Sequence, residues 1–286
     1  MAEKYCPVCR SRMFRGVADW HQECPKCLYE SADLIPAINE NSAHANIDEK
    51  FRESGLRSLR IENFHSLLRA IKRSGKSSGK LLDVGCAHGW FLEVAKENGF
   101  DVLGIEPDVN VFNATVQRGL PVRQGFFPEV LPRKEQFDVV AFNDVFEHIP
   151  DLNRLLAGCR DHLKPNGVLM LNLPSSKGVF YKCSRGLLKI GLSGFFERLW
   201  QKDLPSPHLH YFSPKNLNDL LISNGFEPIA SGRLSTLSLK GLFTRISYTG
   251  SYSLFVRVMV YMVVVLALPV LSIIPSDIMY AIARKK

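Results

Sequence analysis

The chain of 286 residues carries a net charge of +8, with 46% apolar and 22% charged residues and seven cysteines. That balance excludes a disordered chain, and the length suffices for one full core plus a small extra module. The basic excess permits an anionic partner without naming one. Met1-Ala2-Glu3-Lys4-Tyr5-Cys6 holds no apolar signal segment, so a cytoplasmic start is expected. In that reducing compartment paired cysteines read as metal ligands rather than disulfides.

Cys6-Pro7-Val8-Cys9 and Cys24-Pro25-Lys26-Cys27 enclose 14 residues between Cys9 and Cys24. Two such knuckles can set four thiolates tetrahedrally around one zinc, at roughly 2.3 Å each. Phe14, Val17 and Trp20 are too few for a core, so the metal would supply the folding energy of a zinc ribbon over residues 1–33. No spare ligand position is evident, which makes the site structural rather than catalytic. His21 can replace a cysteine ligand or sit on the surface beside the knuckle. A redox Cys-x-x-Cys pair would leave the second knuckle unexplained.

Residues 34–79 read as a linker and helical lead-in. Ser31 to Ile47 is mixed and rich in Asn. From Asp48 to Arg73, Phe51, Leu59, Leu67, Leu68 and Ile71 recur at near-helical intervals, as one long or two shorter helices. Lys72 to Lys80 is a basic loop that either touches phosphate or serves as a solvated connector.

The stretch Lys80-Leu81-Leu82-Asp83-Val84-Gly85-Cys86-Ala87-His88-Gly89 carries an apolar run into a glycine-containing turn. A helix from Phe91 to Asn98 follows, then a second apolar run from Asp101 to Ile105 that ends on Glu106-Pro107. This is a βαβ unit with a ligand site at its strand ends. Gly85 and Gly89 would allow close backbone approach to a ligand. Glu106, about 20 residues after the turn, stands where a carboxylate can accept from both hydroxyls of a ribose. The third glycine of a dinucleotide turn is missing. Asp83-x-Gly85-x-x-x-Gly89 resembles instead the first motif of class I S-adenosylmethionine-dependent methyltransferases. That resemblance implies a Rossmann-like α/β fold with a mostly parallel seven-stranded sheet flanked by helices, and a cofactor held by Asp83, Gly85, Cys86, Ala87, Gly89, Glu106 and Pro107.

Val109, Phe112 and Val116 space a further helix, and Pro121 to Phe126 a short strand. Related methyltransferases often place an acidic residue after this strand, facing the adenine amine; here it is Phe126. Phe126 or Phe127 can stack on adenine or simply pack in the core. Phe137 to Asn143 is an apolar strand followed by Asp144-Val145-Phe146-Glu147-His148. This segment resembles the fourth-strand region of the same class, including the ubiquinone-biosynthesis O-methyltransferases. Asn143 and Asp144 would lie near the cofactor. His148 can be a general base, or Asp144, Glu147 and His148 can hold a hard cation as the resemblance allows, or Glu147 and His148 can cap and orient the next helix. A helix from Leu152 to Leu163, a turn at Lys164-Pro165-Asn166-Gly167 and a strand from Val168 to Pro174 complete the match.

Residues 175–206 interleave aromatic and apolar residues with Lys177, Lys182, Arg185, Lys189, Arg198 and Lys202. In such methyltransferases an insertion here builds a lid and acceptor pocket; the composition also suits an anionic membrane interface, or plain packing. Ser213 and Pro214 start a helix as N-cap and first residue. His208 and His210 alternate before it, so one can face the site; His210 is the catalytic candidate beside His148, with a helix-entry hydrogen bond as its alternative. Glu227 to Arg233 and Ser235 to Phe243 read as the last antiparallel strands, closing a methyltransferase domain over 80–250. Residues 251–286 read as a membrane-associated tail, since Val258 to Ile274 is 17 residues without a charge. A span, a helix lying in the interface and a buried core helix all remain open.

The expected whole is a methyltransferase at the inner face of the cytoplasmic membrane. It would use S-adenosylmethionine and a structural Zn2+, and act on a small or lipid-linked acceptor such as a glycan intermediate or a quinone. The alternatives are an RNA or protein methyltransferase docking through the ribbon, and a non-catalytic membrane-anchored scaffold.

Overall fold

Apolar runs separated by helix-period segments build one twisted sheet, and both of its faces are covered. The computed structural model describes residues 3–37, 49–236, 242–248 and 253–286. Three short strands, β1 (Phe14–Arg15), β2 (His21–Glu23) and β3 (Glu30–Ala32), carry the cysteine knuckles. One long helix, α1 (Glu49–Arg73), leads into β4 (Gly79–Val84), α2 (Trp90–Glu97), β5 (Phe100–Glu106), α3 (Val109–Gln117) and β6 (Val122–Gln124). Then come β7 (Phe137–Asn143), α4 (Leu152–His162), β8 (Leu163–Pro174), α5 (Val179–Lys189), α6 (Gly194–Leu199) and β9 (His210–Tyr211). The chain continues through α7 (Pro214–Ser223), β10 (Phe226–Leu234), α8 (Leu242–Tyr248), α9 (Leu254–Ile273) and β11 (Ile278–Lys285).

The 7-stranded sheet runs β10-β11-β8-β7-β4-β5-β6. Only β11 is antiparallel to its neighbours. Successive residues of β7 (Phe137, Val139, Val140, Ala141 and Phe142) are buried, as expected for a strand covered on both sides. One face packs Phe64, Leu67 and Ile71 of α1 and Phe91 of α2. The other packs Leu152 and Leu156 of α4 and Leu217 and Leu220 of α7. Strand order reverses beside β4, which opens a crevice at the carboxyl ends of β4 and β7.

Several sequence expectations change here. The partner of β10 is β11 rather than Ser235–Phe243, of which 237–241 lie outside the described residues and Leu242 begins α8. Residues 278–285 are therefore an interior strand of the sheet, not the end of a membrane tail. Ile278 to Ala283 is apolar because it lies between two strands in a sheet covered on both faces, and Pro275-Ser276-Asp277 separates it from the apolar run before it. β8 begins at Leu163, with a register shift where a turn over Lys164–Gly167 is expected. Of the linker expected over Ser31–Ile47, its first two residues belong to β3, and 38–47 lie outside the described residues.

The ribbon is not a separate unit. β9 joins it as the outer strand of a 4-stranded sheet, order β1-β2-β3-β9, pairing Glu30 with Tyr211 and Ser31 with His210. The insertion packs on the ribbon: Tyr181, Phe196 and Trp200 share a buried cluster with Ala32, and Trp20 packs against it. His21, expected on the surface or as a zinc ligand, is fully buried there. Its Nδ1 accepts from the Val17 amide at 3.2 Å, so Nε2 carries the proton and donates to Glu30 at 2.9 Å. Tyr181 and Arg185 also donate to Glu30, at 2.5 and 2.9 Å.

Truncation after Ile274 removes β11, which leaves β8 with one unpaired edge and β10 with no partner strand. The expected outcome is loss of the cooperative thermal transition by circular dichroism; an unchanged melting temperature would show the last strand to be dispensable.

Candidate functional site

The turn between β4 and α2 is shaped by backbone conformation and by close neighbours. Gly85 and Gly89 both have positive φ, 69° and 75°. A Cβ on Gly85 would meet the Val145 side chain at 2.7 Å, and one on Gly89 would collide with Leu120 and Thr115. At both positions a side chain larger than hydrogen would collide with neighbouring side chains. Ala87 also has positive φ, and its amide donates to Glu106 Oε2 at 2.9 Å. The Asp108 amide donates to Glu106 Oε1 at 2.9 Å. Glu106 is buried, which pushes its carboxyl above the ordinary value, while these two amides pull it back. Thr115 of α3 donates to the Ala87 carbonyl at 2.7 Å. Cys86 is buried with its sulfur over Gly104 of β5, so it acts as a packing residue beside the turn. Pro107 follows Glu106 at the same strand end.

At the adjoining strand ends, Asn143 Nδ2 donates to Asp83 Oδ1 at 3.0 Å. Burial pushes Asp83 up to about 7; the Asn143 hydrogen bond opposes this and the charge of Glu106 adds to it. Asn143 Oδ1 and Asn172 Oδ1 are buried acceptors without a partner. Asn143 and Asn172 are register neighbours on β7 and β8. Asp144 has positive φ, donates its amide to the Asn172 carbonyl at 2.9 Å and lies 3.5 Å from Arg60 of α1.

The histidines resolve differently from expectation. His148 Nδ1 donates to the Pro207 carbonyl at 2.8 Å, which makes Nε2 the basic nitrogen. Its ring centroid lies 4.8 Å from that of His208, and Glu147 Oε1 is 3.9 Å from Nε2 of each histidine. Burial and the neighbouring Asp144 push Glu147 well above the usual carboxylate range, and burial with His148 holds His208 well below the usual imidazole value. Glu147 Oε2 and His208 Nδ1 are buried without partners. His210, the other catalytic candidate, is buried: Nε2 donates to the Ile149 carbonyl at 2.9 Å and Nδ1 accepts from the Tyr29 hydroxyl. Burial lowers it to about 4. With both nitrogens engaged it docks the ribbon, and His208 is the one that faces His148. Asn172, Arg60 and Thr115 are neighbours of these strand ends missed from the sequence, whereas His208 is named there with His210. A polar residue inside the apolar strand Val168–Pro174 is the signal that Asn172 gave.

A family model described as a methyltransferase domain matches residues 56–231. The chain belongs to the methyltransferase family. Among relatives, the ubiquinone biosynthesis O-methyltransferase of Rhodopseudomonas palustris is 34% identical over 114 residues, 36% of this chain and 45% of the relative. That of Paramagnetospirillum magneticum is 42% identical over 95 residues, 32% and 38% of the two chains. The human mitochondrial ubiquinone biosynthesis O-methyltransferase is 29% identical over 160 residues, 51% and 41%. The chain spans less than half the length of these relatives. A methyltransferase of Thermotoga maritima has the same fold at TM-score 0.55 and 16% identity, covering 84% of this chain and 96% of that one. So does the magnesium protoporphyrin IX methyltransferase of Synechocystis with bound S-adenosylhomocysteine, at TM-score 0.53 and 14% identity, covering 86% and 92%. The fold is thus the class I S-adenosylmethionine-dependent methyltransferase fold.

The methyltransferase's strand ends suit the family's cofactor. The orphaned oxygens of Asn143 and Asn172, beside Asp83, are acceptors for an ammonium group, and each Glu106 oxygen retains lone pairs for a ribose hydroxyl. The methyltransferase's cysteine cluster equally suits zinc. Cys6 Sγ lies 3.5 Å from Cys27 Sγ, and Cys9 Sγ 3.4 Å from Cys24 Sγ. All four sulfurs lie within 4.8 Å of one another; a tetrahedron of Zn–S bonds has edges of about 3.8 Å.

The raised pKa of Asp83 fixes the sign of a pH dependence. The unfolded chain releases this proton near the ordinary aspartate value of 3.8 and the folded chain at about 7, so raising pH through that window favours unfolding. Thermal melts without cofactor are expected to fall from about pH 4 to about pH 7, and Asp83→Asn to flatten that part of the slope. An identical slope in the variant would show Asp83 to be ionised when folded.

Proposed function

We propose that this protein transfers the methyl group of S-adenosylmethionine to a small amphipathic acceptor, a quinone-like phenol or a lipid-linked glycan intermediate, at the inner face of the cytoplasmic membrane. The observation that carries the reading is the Glu106 carboxylate, held between the glycine turn and the start of α3. There it would accept from the ribose hydroxyls, while Asp83, Asn143 and Asn172 hold the amino-acid end. Phe126, 56% exposed and next to Gly125, whose amide donates to the Glu106 carbonyl, would offer a face to adenine. When bound, the sulfonium supplies an electrophilic methyl group and a neutral thioether leaving group.

On the acceptor side His148 would take a hydroxyl proton at Nε2, with its ring oriented by the Pro207 carbonyl. Glu147 and His208 would orient the acceptor through their unfilled polar atoms. Much of the barrier in such a transfer is lowered by positioning. The amphipathic acceptor is supported by the exposed Ile190 and Leu192 beside α5, by the apolar α9, and by relatives named for ubiquinone biosynthesis. Docking of RNA through the basic loop has less support. Lys80 pairs with Glu135 at 3.2 Å and Lys76 lies 4.0 Å from Asp138, so those cations already have partners.

Glu106→Ala is expected to weaken S-adenosylmethionine binding at least about tenfold by calorimetry, with Glu106→Gln intermediate. His148→Ala should keep that affinity and lower turnover of a short-chain dihydroxybenzene by about 100-fold. Unaltered cofactor binding in Glu106→Ala would defeat the assignment. In the ribbon we expect a single zinc per chain by atomic absorption; its chelation should lower the melting temperature and the turnover together, because β3 holds β9.

A further inference from the structure

α9 holds a single charge, Arg257, in 20 residues. Its side chains from Leu254 to Leu266 are exposed almost in succession, Phe255 and Leu266 each by 74%. At about 100° per residue, the exposed positions bounded by Leu254 and Val260 cover an arc of about 240°. A helix docked on protein buries a stripe nearer about 100° wide. Arg257 and Tyr261 fall in the remaining arc, where Tyr261 packs edge-on to Phe243 of α8 with centroids 5.8 Å apart. An environment that is apolar around two-thirds of a helix is hydrocarbon rather than a protein groove.

Both ends of this helix are tied to the same side of the domain. Leu234, the last residue of β10, pairs with Ile278, the first of β11, so the chain leaves and rejoins the sheet at one rung. On the incoming side α8 lies against both α1 and α9. On the outgoing side the Ser175 and Val179 amides donate to the Asp277 and Pro275 carbonyls at 2.9 and 3.1 Å. The Asp277 carboxylate accepts from the Phe180 and Tyr181 amides at 3.1 and 2.8 Å. A single crossing would separate the two ends by about 30 Å of hydrocarbon, and among the described residues no helix is long and apolar enough to cross a membrane. At the foot of α9, beside Pro275 and Ser276, a cavity is lined by Lys177 and Arg233. Neither cation has an ion-pair partner among the described residues.

We propose that α9 lies in the plane of one leaflet, its outer arc sunk at the headgroup–acyl boundary, and that Lys177 and Arg233 receive the phosphate of an anionic lipid. This rests on the membrane-face reading above and decides among the three placements that the sequence leaves open. The acceptor site then faces the surface from which an amphipathic substrate is drawn.

The test is flotation of the full chain with vesicles of phosphatidylcholine, alone or mixed with phosphatidylglycerol, alongside S-adenosylmethionine titration. Wild type is expected to float with both and more with the mixture. Met259→Asp with Val263→Asp should cut the bound fraction at least about tenfold without changing cofactor affinity. Lys177→Ala with Arg233→Ala should abolish the preference for the mixture but not flotation on phosphatidylcholine. Wild type that floats with neither vesicle overturns the proposal. So does a dimer in light scattering that Val263→Asp dissociates, or an anionic preference indifferent to Lys177 and Arg233. Flotation without any cofactor binding would leave the leaflet placement standing and sink the enzymatic reading instead.

Discussion

Glu106 ties the nucleotide side of this fold together. Its two oxygens accept from Ala87 on one side and Asp108 on the other, so one carboxylate at the end of β5 closes the turn after β4 and sets the start of α3. Ala87 is held at φ 45°, in a region that costs a side-chain-bearing residue about 1–2 kcal/mol. A charge-assisted bond to its amide, with Thr115 on its carbonyl, offsets that strain. The same burial that makes these bonds strong pushes the carboxyls of Glu106 and Asp83 upward. Stability of the empty site and readiness for a cationic guest are therefore opposed there, as is usual where polar groups wait for a ligand.

The ribbon takes part in this arrangement at a distance. Its third strand adds β9 to its own sheet, and Tyr29 engages His210 within that pairing. Glu30 gathers His21, Tyr181 and Arg185, which fastens the insertion helix α5 to the same small sheet. His208, two residues before the start of β9, meets Glu147 and His148. The cysteine-bearing sheet is thus joined to the main domain through β9 and the Tyr29–His210 hydrogen bond.

Much of the nucleotide half was readable because it is local. The spacing of Asp83, Gly85, Gly89 and Glu106 lies within one βαβ unit, and the apolar runs Phe137–Asn143 and Val168–Pro174 are strands buried on both faces. What escaped depends on distant partners. His208 and His210 are two residues apart, a spacing that in a strand gives both one face and does not say which of them reaches the site, because Tyr29 claims His210 from 181 residues away. His21 is buried by Phe196 and Trp200, whose arrival the ribbon's own sequence does not announce. The crowding of Gly85 by Val145 and of Gly89 by Leu120 also depends on residues outside the turn, which spacing alone does not show. The strand β11 was absorbed into the apolar tail although Pro275-Ser276-Asp277 interrupts the run before it, because its partners β8 and β10 lie far back in the chain.

The position of β11 has a consequence for biosynthesis. The strand sits between β10 and β8 yet leaves the ribosome after both, so the sheet waits with a gap while α8 and α9 emerge. During that interval β10 has no hydrogen-bonding partner and the greasiest helix of the chain is already in water. The sheet is therefore completed by insertion of its latest strand between two that precede it in the chain.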